Sequence, residues 1–411
     1  MSAARQPAVL PRGFRFAATA CGLKKNGKLD LALIVSERPA SAAAVFTRNL
    51  VQAAPVVLSR AHVRASRGAM RAIIVNSGNA NCSTGPAGLA GSRATVKEVA
   101  RAIGCRANQV IVCSTGVIGV PLRVEHILRA ASALVASLHD SPRAFAKVTR
   151  AIMTTDTRPK WAAASFRVGG RTVRIAGCAK GAGMIHPDMA TMLAFVVTDA
   201  AVSPGVLQRA LREVTARTFN SITVDGDTST NDTLAVLASG ASGARAISRS
   251  RGGDYSRFVA ALEKVCHALA LAIVADGEGA SRVVEIEVRG AASPRAAAQV
   301  ARTIAGSPLV KTALAGADPN WGRILAAAGR AGVKFNPERA EIWLGGMKMY
   351  GRSGCAPVSV ALPLDERAAH RRLLAKYVPI VVDLRRGGAN ARVWTCDFTK
   401  KYVDINASYR T

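Results

Sequence analysis

The sequence predicts an α/β fold, and three observations support this prediction. Hydrophobic residues make up 49% of the 411 residues, far more than a disordered chain contains. Aromatic residues make up only 5% and Gly is abundant, which suits tight packing with many short turns. Short apolar runs alternate with helical patterns and hairpins. This mixture favours an α/β sandwich over a doubly wound sheet, in a chain long enough for two domains or one large sandwich.

The elements follow from apolar spacing, taken in order along the chain. Aliphatic or β-branched runs predict strands at 31–36, 71–76, 110–114, 191–197, 282–289, 341–344, 380–384 and 391–395, with a weaker one at 55–58. Helical spacing predicts helices at 95–103, 124–138, 141–153, 204–218, 255–275, 294–304 and near 365–376. A Gly-Gly turn at 169–170 predicts a hairpin over 165–176. The polar loop 220–232 precedes a further predicted helix.

The net charge of +30, from 56 basic and 26 acidic residues, raises the question of a nucleic-acid partner. The basic residues are spread along the chain and are not interleaved with aromatic residues, as a single-strand binding surface requires. We therefore favour a solvated, Arg-rich surface and no nucleic-acid partner. A basic nucleic-acid-binding protein remains the alternative from another functional class.

Cysteine usage and hydropathy bear on the compartment. The eight Cys are scattered and form no C-x-x-C pair, so we expect no metal site, no redox dithiol and free buried thiols. Apolar runs such as 268–275 are well short of the ~20 residues that span a membrane. Residues 1–15 lack the apolar segment of a signal peptide, although their three Arg leave a transit peptide open. These features predict a cytoplasmic protein without a membrane partner.

The segment 180–198, KGAGMIHPDMATMLAFVVT, is the most informative stretch. A Gly-containing loop leads into an apolar strand at the Ala190–Thr191 junction. A Thr hydroxyl held there can attack its own preceding carbonyl, and hydrolysis of the resulting ester frees a new N-terminus. That α-amino group, with a pKa near ~8, can then act as general base for the same hydroxyl. The alternative is that Thr191 is an ordinary first residue of a strand.

A second stretch, Cys113–Gly119, places Thr115 and Gly116 directly after an apolar strand. A Thr hydroxyl and the Gly backbone N–H can form an oxyanion hole for an acyl intermediate. The alternative is a plain β-turn. Further stretches are dense in polar residues, at 154–157, 225–232, 276–279, 318–322 and 406–411. Asp276 and Glu278 suggest a cation but have no further ligands nearby. The alternative for Glu278 is a loop carboxylate that pairs with an excess Arg. The alternative for 406–411 is a frayed tail.

Taken together, these stretches resemble the bifunctional ornithine acetyltransferase family, also called glutamate N-acetyltransferase. The resemblance runs from Gly13 to Thr411. Its strongest motifs are NSGNAN (76–81), STGVIG (114–119), KGAGMIHPDMATML (180–193), VDGDTSTND (224–232), DGEG (276–279) and DPNWGRI (318–324). The tail NASYRT departs from the family at position 408, which more often is acidic.

The resemblance implies a self-processing α/β sandwich of the ornithine acetyltransferase and aminopeptidase type. It implies cleavage between Ala190 and Thr191, which gives an α chain of 1–190, a β chain of 191–411 and an α2β2 heterotetramer. The family's oxyanion pair corresponds to Thr115 and Gly116. Its substrate contacts correspond to Thr154, Lys180, Thr191, Glu278, Asn406 and Thr411, although the sequence does not decide between Thr154 and Thr155.

The implied reaction moves an acetyl group from N2-acetylornithine to Thr191 and then to glutamate, with no cofactor. Lys180 would hold the substrate carboxylate, Glu278 the ornithine ammonium, and Asn406 and Thr411 the amide or carboxylate. Some family members also use acetyl-CoA as donor, and no sequence feature decides this. A rival of similar architecture is a self-processing aminopeptidase or amidohydrolase, in which water accepts the acyl group. Its nucleophile is typically Ser, whereas this chain has Thr.

Overall fold

Two sheets, each with its own helices, form two compact units. The computed structural model describes residues 9–186, 192–354, 356–363 and 365–407. The first unit contains the described residues up to Asn220 together with Asp227–Ile273. The second contains Ser221–Gly226 and the described residues from Val274 onward. Both units mix helices and strands, so the predicted α/β class is confirmed.

The sheet of the first unit has eight described strands. They are β1 (Phe14–Thr19), β2 (Leu31–Phe46), β3 (Ala69–Asn79), β4 (Val110–Val117), β5 (Lys160–Val168), β6 (Arg171–Lys180), β7 (Leu193–Thr198) and β8 (Thr233–Ala238). The order across the sheet is β4-β3-β2-β8-β7-β6-β5, and β1 pairs with β2. β3 and β4 are parallel, as are β7 and β8, and the other neighbours are antiparallel.

Helices cover both faces of this sheet. They are α1 (Ala54–Ala65), α2 (Gly85–Ile103), α3 (Val124–Ala136), α4 (Pro142–Ala151), α5 (Pro204–Arg217) and α6 (Gly253–Ala275), whose last turn enters the second unit. Because side chains alternate along a strand, Ala32 and Ile34 of β2 pack with α4, whereas Leu31 and Leu33 pack with α2 and α3. Both faces of β2 are therefore buried, which explains its nearly continuous apolar sequence.

The second unit is built on a six-stranded sheet. Its strands are β9 (Val283–Ala291), β10 (Glu341–Leu344), β11 (Met347–Gly351), β12 (Val360–Ala361), β13 (Tyr377–Asp383) and β14 (Ala389–Cys396), in the order β12-β11-β10-β13-β9-β14. Its helices are α7 (Pro294–Ala305), α8 (Pro308–Ala315), α9 (Trp321–Gly329), α10 (Glu366–Leu373) and α11 (Lys400–Ala407). One core joins β9 to α7, with Ile286 and Val300 fully buried.

Two predicted elements are wrong. Residues 55–58 belong to α1, because Pro55 sits in its first turn and the packing of Val56 and Leu58 decides the conformation. The segment after 232 is strand β8, not a helix. Its six residues are all buried between β2 and β7, and a short apolar run of this length fits either structure by sequence.

α6 confirms the helix predicted at 255–275, and its apolar character extends well beyond the run 268–275. Its 23 residues are long and apolar enough to cross a membrane by length and composition, with a mean hydropathy of 1.9. More than half of the apolar window, 56%, is buried inside the protein. The seven cysteines within the described residues are free thiols; five are buried, as predicted, and Cys21 and Cys105 are half-buried.

Candidate active site

The predicted oxyanion pair lies at the end of β4. Thr115 is buried, with 5% of its surface exposed. Gly116 has φ +135°, and a Cβ there would lie 2.3 Å from the Gly78 carbonyl carbon and 2.5 Å from the Asn79 nitrogen. Only Gly allows this approach, which coincides with an irregular register between β3 and β4. The Gly116 peptide is therefore held in one place by its neighbour strand.

Hydrogen bonds fix the strand ends around Thr115. The Ser114 hydroxyl donates to Asn76 Oδ1 at 2.5 Å, and Asn76 Nδ2 donates to the Asn79 carbonyl at 2.9 Å. Within the described part of the chain, the Thr115 hydroxyl makes no hydrogen bond and is available to a ligand. Burial raises the pKa of the nearby Cys113 thiol to about 12, so this thiol stays protonated and is a poor nucleophile.

Lys180 and Thr154 meet in the same unit. Lys180 ends β6 and is 4% exposed, and its Nζ donates to Thr154 Oγ1 at 3.4 Å. The contact singles out Thr154, rather than Thr155, as the neighbour of Lys180. Across the β6–β7 pair, Lys180 is the register partner of Leu193, two residues after Thr191.

Asp156 organises the surroundings of these two residues. Its Oδ1 accepts from Lys160 Nζ at 2.5 Å and from the Gly181 N–H at 2.8 Å, and its Oδ2 accepts from the Thr154 N–H at 3.0 Å. Burial alone would raise the pKa of this carboxyl. The ammonium groups of Lys160 and Lys180 and the Gly181 N–H outweigh burial, so the pKa lies below its ordinary value and Asp156 is charged.

A third lysine lies close to this cluster, so three lysines face two carboxylates, Asp156 and Asp30. Lys24 Nζ donates to the carbonyls of Leu29 and Met153, at 3.0 and 2.8 Å. Burial lowers the pKa of Lys24, the charges of Asp30 and Asp156 oppose that shift, and Lys180 is close enough to add to it. Several lysines around the Asp156 carboxylate favour an incoming anion such as a substrate carboxylate.

Asp156→Asn is expected to lower the free energy of unfolding at pH 7 by about 3–5 kcal/mol, because Lys160 loses its buried counter-charge. Denaturant unfolding followed by circular dichroism measures the loss. Since the folded pKa of Asp156 is lowered, its contribution is complete above the ordinary value of 3.8 and fades as pH falls through the folded pKa. The difference between parent and variant should therefore shrink below pH 3.8.

The matched control is Asp254→Asn, which removes a carboxylate from an exposed pair with Arg245 and Arg257. Solvent screens this pair, so a much smaller loss is expected. Equal stability of the Asp156→Asn variant and the parent at pH 7 would contradict the structural role of the buried pair.

The described part of β7 is anchored at its start. The Met192 N–H donates to Asp232 Oδ1 at 2.9 Å, and the Thr233 N–H donates to the Met192 carbonyl at 3.1 Å. Ala190 and Thr191 themselves lie outside the described residues, as does Thr411. The anchor nevertheless fixes the residue that directly follows Thr191.

Two further predicted site residues meet in the second unit. Asn406 Nδ2 donates to Glu278 Oε2 at 2.8 Å, and Glu278 is buried. Gly279 has φ +71°, and a Cβ there would lie 2.6 Å from the Tyr402 nitrogen of α11. The Thr399 hydroxyl donates to the Gly279 carbonyl at 2.7 Å. The turn 276–279 therefore packs on α11, which continues through Ala407, and residues 408–411 of the predicted tail lie outside the described residues.

Several residues of this neighbourhood are not predicted from the sequence. The motifs do not identify four buried polar residues beside the predicted site as site residues: Asp156, Lys160, Asn231 and Asp232. The available signal was the polar density of 154–157 and 225–232, which is costly to bury without partners. Across the described ranges, no group of three or more His, Cys, Asp or Glu side chains is placed to hold a metal ion.

Comparison with known proteins gives the family. The ArgJ family model matches residues 15–411. The arginine biosynthesis bifunctional protein ArgJ of Symbiobacterium thermophilum is 48% identical over 403 residues and covers 98% of each chain. The protein of the same description from Rhizobium meliloti is 44% identical over 411 residues, covering 99% of this chain and 97% of its own.

Solved structures include two relatives. The ArgJ protein of Bacillus halodurans is 44% identical, with a TM-score of 0.49, and the match covers 52% of this chain and 98% of that one. An ornithine acetyltransferase from Mycobacterium tuberculosis, complexed with ornithine, is 38% identical with a TM-score of 0.39, and the match covers 44% and 95%. The match to the family model and the identities over nearly the whole length agree with the resemblance inferred from the motifs. The chain belongs to the ArgJ family and is an ornithine acetyltransferase, that is a glutamate N-acetyltransferase, of arginine biosynthesis.

Proposed function

We propose that the chain cleaves itself between Ala190 and Thr191 and then uses Thr191 as the nucleophile of a two-step acetyl transfer. The acetyl group moves from N2-acetylornithine to Thr191 and from Thr191 to glutamate. Family membership supports the reaction, and the neighbourhood of β7 supports the nucleophile. Lys180, the predicted carboxylate ligand, is the register partner of Leu193, so it lies on the strand next to β7, which Thr191 precedes.

In the maturation step, the Thr191 hydroxyl attacks the Ala190 carbonyl carbon. The peptide C–N bond breaks, an ester forms, and the nitrogen becomes the free amine of Thr191. Water then hydrolyses the ester and leaves Ala190 as a carboxylate. The new amine has the pKa of an N-terminus, near ~8, and can take up the hydroxyl proton at neutral pH.

In the transfer step, the Thr191 oxygen attacks the acetyl carbonyl of N2-acetylornithine. The amine of Thr191 takes the hydroxyl proton and passes it to the leaving nitrogen, and ornithine departs as the acetyl–nitrogen bond breaks. The amine of glutamate then attacks the ester carbon and the ester C–O bond breaks. The Thr191 amine carries a proton from the glutamate nitrogen to the Thr191 oxygen, so N-acetylglutamate leaves with Thr191 restored. Thr115 and Gly116 would stabilise the oxyanion formed in each half-reaction, with their donors held in place beforehand.

The remaining site residues would hold the substrates. The cationic cluster of Lys180 and its neighbours suits the α-carboxylate that both substrates carry, and Thr154 lies against it. Glu278 would pair with the ornithine ammonium, and Asn406 already donates to that carboxylate. Thr411 completes the proposed set.

Other features of the proposal concern assembly and donor range. The mature protein would be an α2β2 heterotetramer in the cytoplasm, a compartment that suits the free thiols. It would need no cofactor, because the acetyl group passes directly between the substrates and Thr191. Acetyl-CoA remains a candidate second donor.

Intact mass measurement of the purified, active protein tests the proposal. Two fragments are expected, one ending at Ala190 and one starting at Thr191. Mixing the protein with N2-acetylornithine alone should add the mass of one acetyl group to the second fragment only, and adding glutamate should remove it. A fully active protein that remains one uncut chain would overturn the mechanism.

A further inference from the structure

The short segment Ser229–Asp232 connects two parts of the proposed site in the first unit. Asn231 Nδ2 donates to the Ala80 carbonyl at 2.6 Å and to the Ser114 carbonyl at 2.8 Å. Ser114 directly precedes the oxyanion residue Thr115. The same amide therefore fixes the end of β4 and the loop that follows β3, across 117 and 151 residues of sequence.

The next residue, Asp232, fixes the other part. Its Oδ1 accepts from the Met192 N–H at 2.9 Å, and Met192 directly follows Thr191. The backbone carbonyl of Asp232 accepts from the Thr47 N–H at 3.0 Å, so the residue is also tied to the end of β2. Two consecutive side chains thus contact the neighbours of Thr115 and of Thr191.

The Asp232 carboxyl is buried and only one of its oxygens is hydrogen-bonded within the described residues. The residue is 1% exposed, and its Oδ2 has no hydrogen-bond partner among the residues that the structure describes. Burial raises its pKa well above the ordinary value, and the Met192 N–H, the charge of Lys180 and the Ser229 side chain oppose that shift without cancelling it. A carboxyl oxygen accepts a hydrogen bond in either protonation state, so the contact with the Met192 N–H does not depend on that state.

We propose that Asn231 and Asp232 are positioning residues for the acetyl transfer, one holding the oxyanion strand through Ser114 and the other holding the nucleophile through Met192. The inference depends on the proposed role of Thr191. Its physical basis is that a displacement of about 1 Å between nucleophile and oxyanion donors can lower a rate about 100-fold. In these roles neither side chain touches the reacting atoms.

Four variants of the full chain test the positioning roles of Asp232 and Asn231. Asp232→Leu removes the acceptor at similar size, and Asp232→Asn keeps a side-chain oxygen. Asn231→Ala removes the amide from Ser114. Asp199→Leu is the matched control, because Asp199 is also buried, directly follows β7, and accepts from the Arg174 and Arg12 N–H groups at 2.7 and 3.2 Å, away from the proposed site.

Three readouts are measured for each variant: the fraction of chain left uncleaved, the kcat per cleaved molecule and the KM for each substrate. Asp232→Leu and Asn231→Ala are expected to slow cleavage and to lower kcat about 100-fold, with each KM within about twofold of the parent. Asp232→Asn should restore most of both rates, and Asp199→Leu should leave kcat unchanged in the folded protein. Circular dichroism selects folded variants, and Asp232→Ala replaces Asp232→Leu if the latter does not fold.

A folded Asp232→Leu or Asn231→Ala variant with parental cleavage and kcat would overturn the inference. An Asp232→Asn variant as impaired as Asp232→Leu would also overturn it, because the acceptor would then not be what matters. The Thr191→Ala variant is measured alongside. If that variant transfers acetyl, the proposed function itself fails, whereas an inactive Thr191→Ala beside an active Asp232→Leu rejects only the positioning pair.

Discussion

Thr191→Ala is expected to leave the chain as one uncut polypeptide and to abolish acetyl transfer from N2-acetylornithine to glutamate. Without the hydroxyl no ester can form with the Ala190 carbonyl, so no new N-terminus is released. The same loss removes the attacking oxygen of the transfer reaction and, with the uncleaved amide, the base that would activate it. A denaturing gel and an assay of N-acetylglutamate formation measure the two losses independently.

Thr191→Ser is the control for this variant, since it keeps the hydroxyl and loses one methyl group. It should still cleave and still transfer acetyl, at reduced rates. Retained transfer by Thr191→Ala would place the nucleophile elsewhere in the chain. Cleavage by Thr191→Ala would show that maturation does not use this hydroxyl.

Thr115→Val is expected to lower kcat by about 10²–10³-fold, the usual effect of losing one oxyanion donor. Valine matches threonine in shape, so the buried environment at the end of β4 and the close approach of Gly116 to β3 should be preserved. The KM for each substrate should change little, because the lost hydrogen bond matters mainly in the transition state. Steady-state kinetics of the cleaved protein measures the effect.

The matched control is Thr215→Val. Thr215 is equally buried, in α5, and its hydroxyl donates to the Leu211 carbonyl of its own helix at 2.6 Å. This variant should keep the parental kcat, and Thr115→Ser should recover much of the rate lost in Thr115→Val. A parental kcat in folded Thr115→Val would remove this hydroxyl from the oxyanion site.

Helices with strong local signals were predictable from sequence. Ser141 accepts a hydrogen bond from the Ala144 N–H as the N-cap of α4, in line with the Ser-Pro pattern. Local signals failed where tertiary pairing decides the structure. The run TLAVLA is a strand because β2 and β7 both pair with it. The sequence of the run itself does not indicate which strands will pair with it.

The candidate site divides in the same way. The motifs identify six of the described site residues: Thr115, Gly116, Thr154, Lys180, Glu278 and Asn406. In the structure Thr154 contacts Lys180, and Asn406 contacts Glu278. Asp156 and Asp232 were not found, because what distinguishes them is burial beside particular backbone groups. Asp156 contacts Gly181, 25 residues away, and Asp232 contacts Met192, 40 residues away. Such pairs exist only once the sheet has formed.

The strand order of the first sheet has a consequence for the separate fragments. A cut after residue 190 would assign β8 and β7 to one polypeptide, and their outer neighbours β2 and β6 to the other. The strands β8 and β7 of the polypeptide that starts at residue 191 would then lie in the middle of the sheet. They would be hydrogen-bonded along both sides and could not leave from an edge. Two chains that met after cleavage would have to open that sheet to insert the strand pair. An uncut chain would avoid this step, so under the proposed cleavage the sheet would assemble before the cut, and separated fragments would not easily re-form it.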